Sequence, residues 1–487
     1  CFALATALGL WTSLAASFAA WPIDSDIAGS VMVWHGLRAH GTGFLGTWLW
    51  PQDSFLLTLL PWTSALYALA GPRPALVVGI GWAIFVLCAV LAAWLGWRLT
   101  RRPAIWALLP VLLLATRAAL GRTGWLAHPI SHTVTLLWGL LALHAAIGWL
   151  DTRRPVPLTA ATACVFAASL SDPWALSALA LPMIAAAALV GDAILGIVLA
   201  FATVLAGTRL GGCIGFLPAA RLEIATRTQA IENLALLPRI LGTDLAVGPW
   251  PEASLALVAF LAVLVLLALI PGWRALAQRL RFVLLACGLG CAFSAAAFAA
   301  NGFARGSGSG RFLVAVAVLL PLGLAIGALS ARARAGRACA LLAAILALLH
   351  MATGVVAAWP PAPLRVRAAS PLALARFLDA HGLHHGYAAY FGAAANAVTW
   401  LSGWRVVLRP ISFDDLDGKL LYPLVQTSQD WYGPGAPGRF VVIDPASCLS
   451  LPTCIAGLAR QFGRPARMLG FGPDTILVWD RPLLPGA

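Results

Sequence analysis

Long apolar runs separated by short polar segments dominate residues 1–358. Several of these runs approach the ~20 consecutive apolar residues that a helix needs to cross the hydrocarbon core of a bilayer. The pattern predicts eleven membrane-spanning helices, at 1–21, 75–97, 104–120, 133–150, 158–171, 174–190, 193–207, 254–271, 282–300, 312–330 and 338–358. We expect the natural chain to begin upstream of Cys1, because neither a methionine nor a basic flank precedes the first run.

Arginines gather in four of the loops that join these runs. Because cytoplasmic loops of membrane proteins carry an excess of arginine and lysine, these four loops are predicted to face the cytoplasm. The clusters are Arg98–Arg102, Arg153–Arg154, Arg274–Arg281 and Arg332–Arg337. The loops predicted to lie outside are 22–54, 121–132, 208–252 and 301–311, together with everything after residue 359.

The apolar segment 55–70 does not fit this alternation. If it crossed the membrane, the Arg98–Arg102 cluster would move to the outside. We therefore predict a surface helix over 55–70 that lies along the outer face of the membrane, as interfacial helices do. A simple crossing is the alternative interpretation.

The pattern changes from about Ser370. The sequence SPLALARFLDAHG predicts a helix with Ser370 as N-cap and Gly382 at its end. Short apolar runs at strand spacing follow, with helical stretches at 394–401 and 454–462 between them. We predict a small extracytoplasmic α/β domain over residues 359–487. Its predicted strands are YAAYF, RVVLR, RFVVID, ARMLGF and TILVWD, with a turn at Gly472–Asp474 between the last two.

The composition agrees with a membrane protein. Of the 487 residues, 61% are hydrophobic and 10% are charged, whereas a soluble domain is about 45–50% apolar and about 25% charged. The net charge of +14 comes from arginines between the apolar runs, so it reflects membrane topology, and we expect no nucleic-acid partner. The predicted fold is mainly α, a polytopic transmembrane helical bundle of about eleven spans with a small C-terminal α/β domain.

Two of the nine cysteines, Cys448 and Cys454, enclose five residues in the predicted external domain. In an oxidising compartment they can form a disulfide around this short loop, and two free thiols are the alternative. No cysteine and histidine spacing typical of a zinc site appears. Five other cysteines lie in apolar runs as small packing residues, namely Cys88, Cys164, Cys287, Cys291 and Cys339.

An amphipathic helix is predicted inside the first outer loop. Its apolar positions recur at spacings of four, three and three residues, so they share one face of a helix. Ser25 or Asp26 is well placed as N-cap, since a side-chain oxygen accepts hydrogen bonds from free backbone N–H groups. Asp24 precedes that position and has less structural reason to be charged. The apolar positions are Ile27, Val31, Trp34 and Leu37.

Three carboxylates, Asp24, Asp26 and Asp53, lie in this loop together with Trp48 and Trp50. Capping is an alternative role for Asp53 too, because it precedes the next predicted helix. Capping does not account for three carboxylates beside tryptophans, which are common at membrane interfaces and also serve as platforms for sugars. We therefore regard Asp24 and Asp26 as candidate catalytic residues, and Asp53, Trp48 and Trp50 as candidate substrate-binding residues.

Six short motifs and the overall layout establish a family resemblance. The motifs are DSDIAG, LWPQDSF, HPISHTVTLL, the SDP after the fifth predicted span, GRFLVAVAVLLPL and LDAHGLHHGYAAYF. With an acidic first outer loop, many spans and an external C-terminal domain, the chain resembles the GT-C superfamily of polytopic glycosyltransferases, and more narrowly bacterial GT-C-like membrane proteins. The resemblance implies a polyprenyl-phosphate sugar as donor, a glycan, lipid or protein as acceptor, and a site on the periplasmic side of a bacterial inner membrane.

In GT-C enzymes an acidic residue of the first outer loop acts as catalytic base, a role that maps here onto Asp24 or Asp26. The usual member pairs Asp with Glu or Asp at adjacent positions, whereas Ser25 intervenes here. Which carboxylate acts, and whether the two bind a divalent metal, therefore stays open at this point. A base is needed because an acceptor hydroxyl is a poor nucleophile until a carboxylate takes its proton.

The leaving phosphate is anionic and needs cations on the same side of the membrane. The candidate arginines are Arg221, Arg227, Arg305 and Arg311. Arg311 matches the basic residue that opens a similar late span in GT-C proteins, and a solvated loop with interfacial arginines is the alternative. His128 and His132, four residues apart, are candidates to share a helix face near the site, with interfacial capping as the alternative. Asp172 is predicted to shape a turn.

Two other functions remain compatible with the sequence. A lipid-sugar flippase or other transporter would also be polytopic, but no internal repeat appears and the charges gather on one face. A non-catalytic assembly protein with the same fold would tolerate changes at Asp24 and Asp26. We expect the protein to be a monomer. For a transferase, one of these carboxylates and one arginine should line the same cavity, with roughly 6–12 Å between their charged groups.

Overall fold

The computed structural model describes residues 2–114, 126–208, 215–217, 223–244, 251–304, 307–331, 334–358, 368–390, 392–421, 425–432 and 438–483. Within these residues the chain is mostly helical, and strands occur only in the first loop and in the C-terminal part. The predicted combination of a helical membrane part with a small C-terminal α/β part therefore agrees with the elements that are found.

The main helices of the first 358 residues follow the predicted apolar runs, with the first-loop helix, the surface helix and one helix in the 208–252 loop added. They are α1 (Phe2–Ala20), α2 (Ser25–His40), α3 (Leu60–Ala70), α4 (Pro74–Thr100), α5 (Leu108–Leu114), α6 (His132–Thr152), α7 (Pro155–Ser171), α8 (Leu181–Leu189), α9 (Ala193–Gly207), α10 (Arg227–Asp244), α11 (Pro251–Leu269), α12 (Gln278–Ala299), α13 (Val314–Ser330) and α14 (Arg334–Ala358).

Six helical segments among the described residues are long and apolar enough to cross a membrane. They are Phe2–Ala20, Pro74–Thr100, His132–Thr152, Leu255–Ala275, Gln278–Ala299 and Ser309–Ser330. Five shorter apolar helices coincide with the remaining predicted runs, at Pro103–Leu114, Pro155–Ser171, Leu176–Leu189, Ala193–Gly207 and Ala338–Thr353. The helices are those of a multi-pass membrane protein, but length and composition account for six crossings and not for all eleven.

Helix α6 lies at the centre of the helical part. Of its candidate span 67% is buried, against 17% for the span formed by α11. Leu136 and Leu140 of α6 belong to one apolar cluster with Phe85, Phe282 and Val318 from three other helices, and all five side chains are fully buried. With 21 residues α6 is about 30 Å long, which matches the hydrocarbon thickness of a bilayer.

Arginine-rich segments meet where α6 ends. Arg153, which follows α6, pairs with Asp192 at the start of α9. Arg279 of α12 pairs with Asp151 in the last turn of α6, with 2.7 Å between the charged atoms. Two of the predicted arginine clusters therefore lie at the same end of the bundle. His132, the first residue of α6, lies at the opposite end.

The segment 55–70 forms a shorter helix than expected. Helix α3 begins only at Leu60, because Phe55 adopts a positive φ of 50° and its backbone N–H bonds to the end of α7. Its eleven residues extend about 16 Å, too little to cross a bilayer. It packs along α2, where the hydroxyl groups of Tyr67 and Ser30 form a hydrogen bond of 3.0 Å.

The C-terminal domain contains a mixed six-stranded sheet. The strands of the chain are β1 (Trp48–Leu49), β2 (His385–Ala389), β3 (Val407–Phe413), β4 (Leu420–Leu421), β5 (Thr427–Ser428), β6 (Gly438–Ile443), β7 (Arg467–Phe471) and β8 (Asp474–Leu483). The sheet order is β4-β3-β2-β6-β8-β7, with β2 parallel to β3 and β6 and the other pairs antiparallel. Helices α15 (Ala369–Ala380) and α16 (Ala395–Leu401) pack on one face, and α17 (Leu451–Phe462) packs on the other.

All five predicted strands and the three predicted helices are present in this domain. The turn between β7 and β8 is also found, at Gly472, whose φ is +56°. One detail was wrong: Ser370 lies inside α15, and the N-cap position belongs to Ala368, which has no side-chain oxygen.

A second sheet of two strands joins the first loop to the C-terminal domain. Strand β1 pairs antiparallel with β5, so that Trp48 lies opposite Ser428 and Leu49 opposite Thr427. The sequence did not predict this pairing, because each strand has only two residues. The C-terminal domain is therefore held directly against the loop that contains the candidate catalytic residues.

A disulfide joins Cys448 and Cys454. Their Cα atoms are 6.4 Å apart, within the distance that such a bond requires. Cys454 belongs to α17 and is buried against the sheet. The five cysteines expected to act as packing residues are free and are buried or half-buried.

We expect the double substitution Cys448→Ser/Cys454→Ser to lower the free energy of unfolding of the C-terminal domain by about 2 kcal/mol, since closing so short a loop restricts the unfolded chain only modestly. Thermal unfolding of the full chain, with and without reductant, measures this difference. Reductant should lower the wild-type midpoint and leave that of the double variant unchanged. If wild type and double variant had the same midpoint with and without reductant, the prediction would be contradicted.

Candidate functional site

The first loop begins with a capped helix. Asp24 is the N-cap of α2, and its carboxylate accepts a hydrogen bond of 2.9 Å from the backbone N–H of Ile27. Ile27 and Val31 are fully buried, as the predicted apolar face requires. The expectation that Ser25 or Asp26 caps this helix was therefore wrong. Both residues lie inside its first turn, and their side chains are free for other contacts.

Ser25 anchors the loop to the C-terminal domain. Its buried hydroxyl donates to the backbone carbonyl of Tyr390, which follows β2. The same hydroxyl accepts a hydrogen bond of 3.3 Å from the backbone N–H of Asn396 in α16. The residue that separates the two acidic positions thus has a structural role of its own.

Asp26 has one engaged and one free oxygen. Its Oδ1 accepts hydrogen bonds of 2.6 Å from the Tyr390 hydroxyl and 2.9 Å from the Gln426 side-chain amide. Both donors belong to the C-terminal domain. Among the described residues, Oδ2 has no hydrogen-bond partner. A carboxylate held in this way has a fixed orientation and still presents one oxygen that can accept a proton.

Asp53 is the least engaged of the three carboxylates. It lines a narrow cleft of about 30 Å³ with Trp48, Trp50 and Gln426, and it has no hydrogen bond or ion pair within the part of the chain that the structure describes. The local cap that was an alternative for Asp53 is not found. The hydroxyl of the next residue, Ser54, accepts instead from the backbone at 3.4 Å.

Arg311 is the arginine that the structure brings to these carboxylates. It lies just before α13, and its positive charge acts on Asp26 and Asp53. Its guanidinium carbon also lies 4.9 Å from the ring centre of Phe312. Arg227 is exposed at the start of α10, and no described contact joins it to the carboxylates. Arg221 and Arg305 lie outside the described residues.

Burial raises the pKa of all three carboxyl groups. The pKa of Asp24 rises to about 7, through burial first and repulsion by Asp26 second. Burial also raises the pKa of Asp26, which hydrogen bonding by Tyr390 and the charge of Arg311 oppose. Burial raises the pKa of Asp53 to about 6. The charge of Asp26 therefore favours the protonated form of Asp24, and the contacts of Asp26 favour its own charged form.

The three carboxylates keep part of their surface exposed although protein surrounds them. Arg311, Tyr390 and Gln426 are half-buried in the same way. Among the described residues, neither Asp24 nor Asp26 nor any arginine lines the cleft beside Asp53, so the expected cavity shared by one of these two aspartates and an arginine is not found there.

His132 is paired with Asp172. Its Nδ1 lies 2.7 Å from Asp172 Oδ2, and both side chains are almost fully buried. The same oxygen accepts a hydrogen bond of 2.7 Å from Thr135, and the other oxygen accepts one of 3.0 Å from the backbone N–H of Trp174. Asp172 therefore shapes the turn, as expected, and also fixes the imidazole, which the sequence analysis missed.

The His132 ring lies close to the carboxylate cluster. It stacks on Trp174 with 4.9 Å between ring centres and lies 5.5 Å from the ring of Phe312. Its interaction with Asp53 opposes the effect of burial on that carboxyl group. His132 and Arg311 therefore flank the same phenylalanine beside Asp53.

His128 does not share a helix face with His132, because α6 begins only at His132. Its ring lies in the preceding turn, buried edge-on against Trp21 at 4.5 Å between ring centres. The His128 Nδ1 accepts a hydrogen bond of 3.2 Å from the backbone N–H of Ile130. Burial lowers the pKa of His128 to about 4, so the ring is neutral at physiological pH. The proposed pairing of the two histidines was wrong.

Trp48 and Trp50 belong to the packed interior of the first loop. Their side chains are 2% and 3% exposed, and the Trp50 indole donates to the backbone carbonyl of Leu45 at 3.0 Å. Trp48 contacts Phe44 and Trp431. Both tryptophans border the cleft beside Asp53, but their ring faces are largely covered, so they are not open platforms for a sugar.

A divalent metal at Asp24 and Asp26 does not fit the described donor set. Asp26 Oδ1 already accepts two hydrogen bonds, and Asp24 caps α2. Among the described residues, no group of three or more histidine, cysteine, aspartate or glutamate side chains could hold a metal ion. Hard divalent cations need several oxygen ligands, so no step of the chemistry is assigned to a metal.

A larger cavity of about 220 Å³ lies elsewhere, between the apolar faces of α5, α11, α13 and α14. His350 is its one titratable lining residue among the described residues. This cavity suits an apolar chain and offers no set of groups for catalysis.

The chain was also compared with known proteins. No protein-family model matches it, and no curated protein matches it. The candidate site therefore has to be interpreted from its own geometry.

Proposed function

We propose that the protein transfers a sugar from a polyprenyl-phosphate carrier to an acceptor hydroxyl at the membrane surface that faces the C-terminal domain. The supporting observation is that one carboxylate oxygen of Asp26 has no hydrogen-bond partner among the described residues, and that the positive charge of Arg311 acts on the same carboxylate. Base and cation together suit attack by a hydroxyl on a carbon that bears an anionic leaving group.

Asp26 is the base in this mechanism. The acceptor oxygen attacks the anomeric carbon of the sugar, the bond from that carbon to the phosphate oxygen breaks, and the hydroxyl proton passes to Asp26 Oδ2. The polyprenyl phosphate leaves with the bonding electron pair. Asp24 caps α2 and keeps the loop in place.

Arg311 stabilises the charge that develops on the leaving phosphate. A guanidinium suits this role because it presents several N–H donors in a planar fork that matches phosphate oxygens. Its positive charge acts on both Asp26 and Asp53, which supports placing base and cation on one substrate. His132, held by Asp172, is a second group on the phosphate side.

The proposed setting is a bacterial inner membrane crossed by eleven helices, with the C-terminal domain in the periplasm. Two observations support the orientation. The carboxylate cluster lies near the start of α6, and paired arginines and aspartates lie at its other end, about 30 Å away. Arginine-rich ends of membrane proteins face the cytoplasm.

Cysteine labelling tests this topology. Leu416 is 92% exposed in the C-terminal domain, and Arg154 is exposed between α6 and α7. We expect an impermeant maleimide to label Leu416→Cys in intact cells and Arg154→Cys only after permeabilisation, because the two positions lie on opposite sides of the membrane. Labelling of both positions in intact cells would contradict the orientation.

Sugar transfer itself is tested with the purified full-length chain. A panel of polyprenyl-phosphate sugars with labelled hexoses or pentoses is supplied in detergent with membrane extracts as acceptor source, and transfer of label is measured. Transfer from at least one donor supports the proposal. Absence of transfer across the panel, together with normal complementation by an Asp24→Asn/Asp26→Asn double variant, would favour a non-catalytic assembly role.

One observation favours that second candidate function. The cleft beside Asp53 has a volume of about 30 Å³, which is the space of roughly one water molecule and too little for a sugar. A transferase must therefore open this recess, whereas an assembly protein has no such need. Observing an opened recess with donor bound would separate the two functions.

A further inference from the structure

The C-terminal domain supplies both groups that hold Asp26. Tyr390 lies just after β2 and Gln426 just before β5. They are separated from Asp26 by 364 and 400 residues along the chain, and both donate to the same oxygen, Oδ1. Two donors on one oxygen fix the plane of a carboxylate and leave its other oxygen without a hydrogen-bond partner among the described residues.

The Gln426 contact is held by neighbours from both parts of the protein. The backbone N–H of Gln426 donates to the carbonyl of Leu49 at 2.6 Å, and its carbonyl accepts from the Asn396 side-chain amide at 2.9 Å. Gln426 has a positive φ of 53°, which is uncommon for a residue with a side chain. Its amide oxygen lies against Gly29 of α2, where an added Cβ would overlap it.

The Tyr390 contact is equally well supported. The Tyr390 carbonyl accepts a hydrogen bond from Ser25, one position before Asp26, so that backbone and hydroxyl of one tyrosine contact successive residues of α2. The pKa of the Tyr390 hydroxyl is raised, by burial first and by the nearby carboxylates second. The hydroxyl therefore stays protonated and acts as a donor.

We infer that the C-terminal domain sets the reactivity of Asp26, with Tyr390 and Gln426 as positioning residues that fix Oδ1 and leave Oδ2 for the acceptor hydroxyl. The inference rests on the proposed function, because it assigns the control of the same base. It also implies that any movement of the C-terminal domain away from the first loop changes both the orientation and the proton affinity of Asp26.

The expected effect of removing either donor has a definite sign. A hydrogen bond to the ionised carboxylate lowers its pKa, so Tyr390→Phe and Gln426→Ala should each raise the pKa of Asp26, by about one unit. The other charged groups that face Asp26, namely Asp24, Asp53 and Arg311, are unchanged in these variants. The acidic limb of the pH–activity profile should therefore move to higher pH, whereas a general loss of structure would lower activity by the same factor at every pH.

Carboxyl labelling measures this shift without relying on activity. Dicyclohexylcarbodiimide reacts with protonated carboxyl groups, and tandem mass spectrometry separates labelling of Asp26 from that of Asp24. The labelling of Asp26 is measured from about pH 5 to pH 9 on the full-length chain. Gly29→Ala provides an independent perturbation, because its added methyl group must displace the Gln426 side chain.

Two variants of the same domain serve as matched controls. Tyr387 donates its hydroxyl to the carbonyl of Leu483 at 3.1 Å, and Gln461 donates its side-chain amide to the carbonyl of Leu420 at 3.3 Å. Tyr387→Phe and Gln461→Ala thus remove similar groups from the C-terminal domain without contacting Asp26. The labelling midpoint of Asp26 should stay at its wild-type value in both.

The outcomes are distinct. A raised midpoint in Tyr390→Phe, Gln426→Ala and Gly29→Ala, with unchanged controls, supports the inference. An unchanged midpoint in those variants that remain folded, or an equal shift in the controls, overturns it, whether or not sugar transfer is detected. A raised midpoint in a protein that transfers no sugar leaves the positioning of Asp26 standing and removes the proposed function.

Discussion

Replacing Asp26 with Asn is expected to reduce sugar transfer about 10²–10⁴-fold while the protein still folds and inserts. Asparagine keeps the shape of the side chain, and its carbonyl oxygen can still accept the hydrogen bonds from Tyr390 and Gln426 that now reach Asp26 Oδ1. It cannot take a proton from the acceptor hydroxyl. The loss should therefore appear in kcat and leave the amount of membrane-inserted protein unchanged. Transfer of labelled sugar by the purified variant measures the effect.

Asp24 provides the matched control. Because asparagine is as good an N-cap as aspartate, Asp24→Asn should retain α2 and most of the activity. Asp24→Ala removes the hydrogen bond to Ile27 and should cost about 1 kcal/mol of stability. A larger loss of turnover in Asp24→Asn than in Asp26→Asn would reassign the base. Full activity in the double Asn variant, at equal expression, would end the transferase mechanism.

The parts of the fold that local patterns determine could be predicted from the sequence. Apolar runs of helical length correspond to helices. Every span must be apolar along its length and must satisfy its own backbone hydrogen bonds, which a helix does. The strands of the C-terminal domain were also predicted, since each combines a short apolar run with flanking turn residues. Helix α3 was predicted five residues too long at its N-terminus, because the strained backbone at Phe55 depends on a contact with α7.

The site could be predicted only in part. The three carboxylates and Arg311 were recognised as residue types in suitable loops. Their partners were not, because the Tyr390 and Gln426 contacts join residues hundreds of positions apart. The pairing of His132 with Asp172 spans 40 positions, and neither HPISH nor SDPW contains a local signal for the other. The N-cap of α2 is Asp24 and not Ser25 or Asp26. A hydrophobic pattern does not define the start of a helix to within one residue.

The contacts around Asp26 also bear on how a substrate enters. The cleft beside Asp53 is too small for a sugar, and Gln426 forms part of its wall. Strands β1 and β5, with two residues each, hold this wall through few hydrogen bonds. An outward movement of the β5 segment would enlarge the cleft beside Asp53. The same movement would break the hydrogen bond that Gln426 donates to Asp26. In the proposed mechanism, entry of the sugar donor would therefore alter the hydrogen bonding of Asp26.

Replacing Arg311 is the second change with a large expected effect. Arg311→Ala should lower kcat for sugar transfer about 10²–10³-fold, the usual cost of removing a group that stabilises developing negative charge. Arg311→Lys should restore part of the activity, because it returns the charge without the planar fork. The loss of positive charge should also raise the pKa of Asp26, since Arg311 now lowers it. The acidic limb of the pH–activity profile should therefore move to higher pH in Arg311→Ala and less in Arg311→Lys.

Arg227→Ala is the matched control for this experiment. Arg227 is exposed at the first residue of α10, and no described contact joins it to Asp26, so its loss removes a surface charge only. Activity within about twofold of wild type is expected, because isolated surface charges contribute little. Polyprenyl-phosphate sugar concentration is varied in all variants, to separate an effect on donor binding from one on the chemical step. If Arg227→Ala and Arg311→Ala reduced transfer equally, general electrostatic attraction of the donor would explain both, and Arg311 would lose its assigned role at the leaving phosphate.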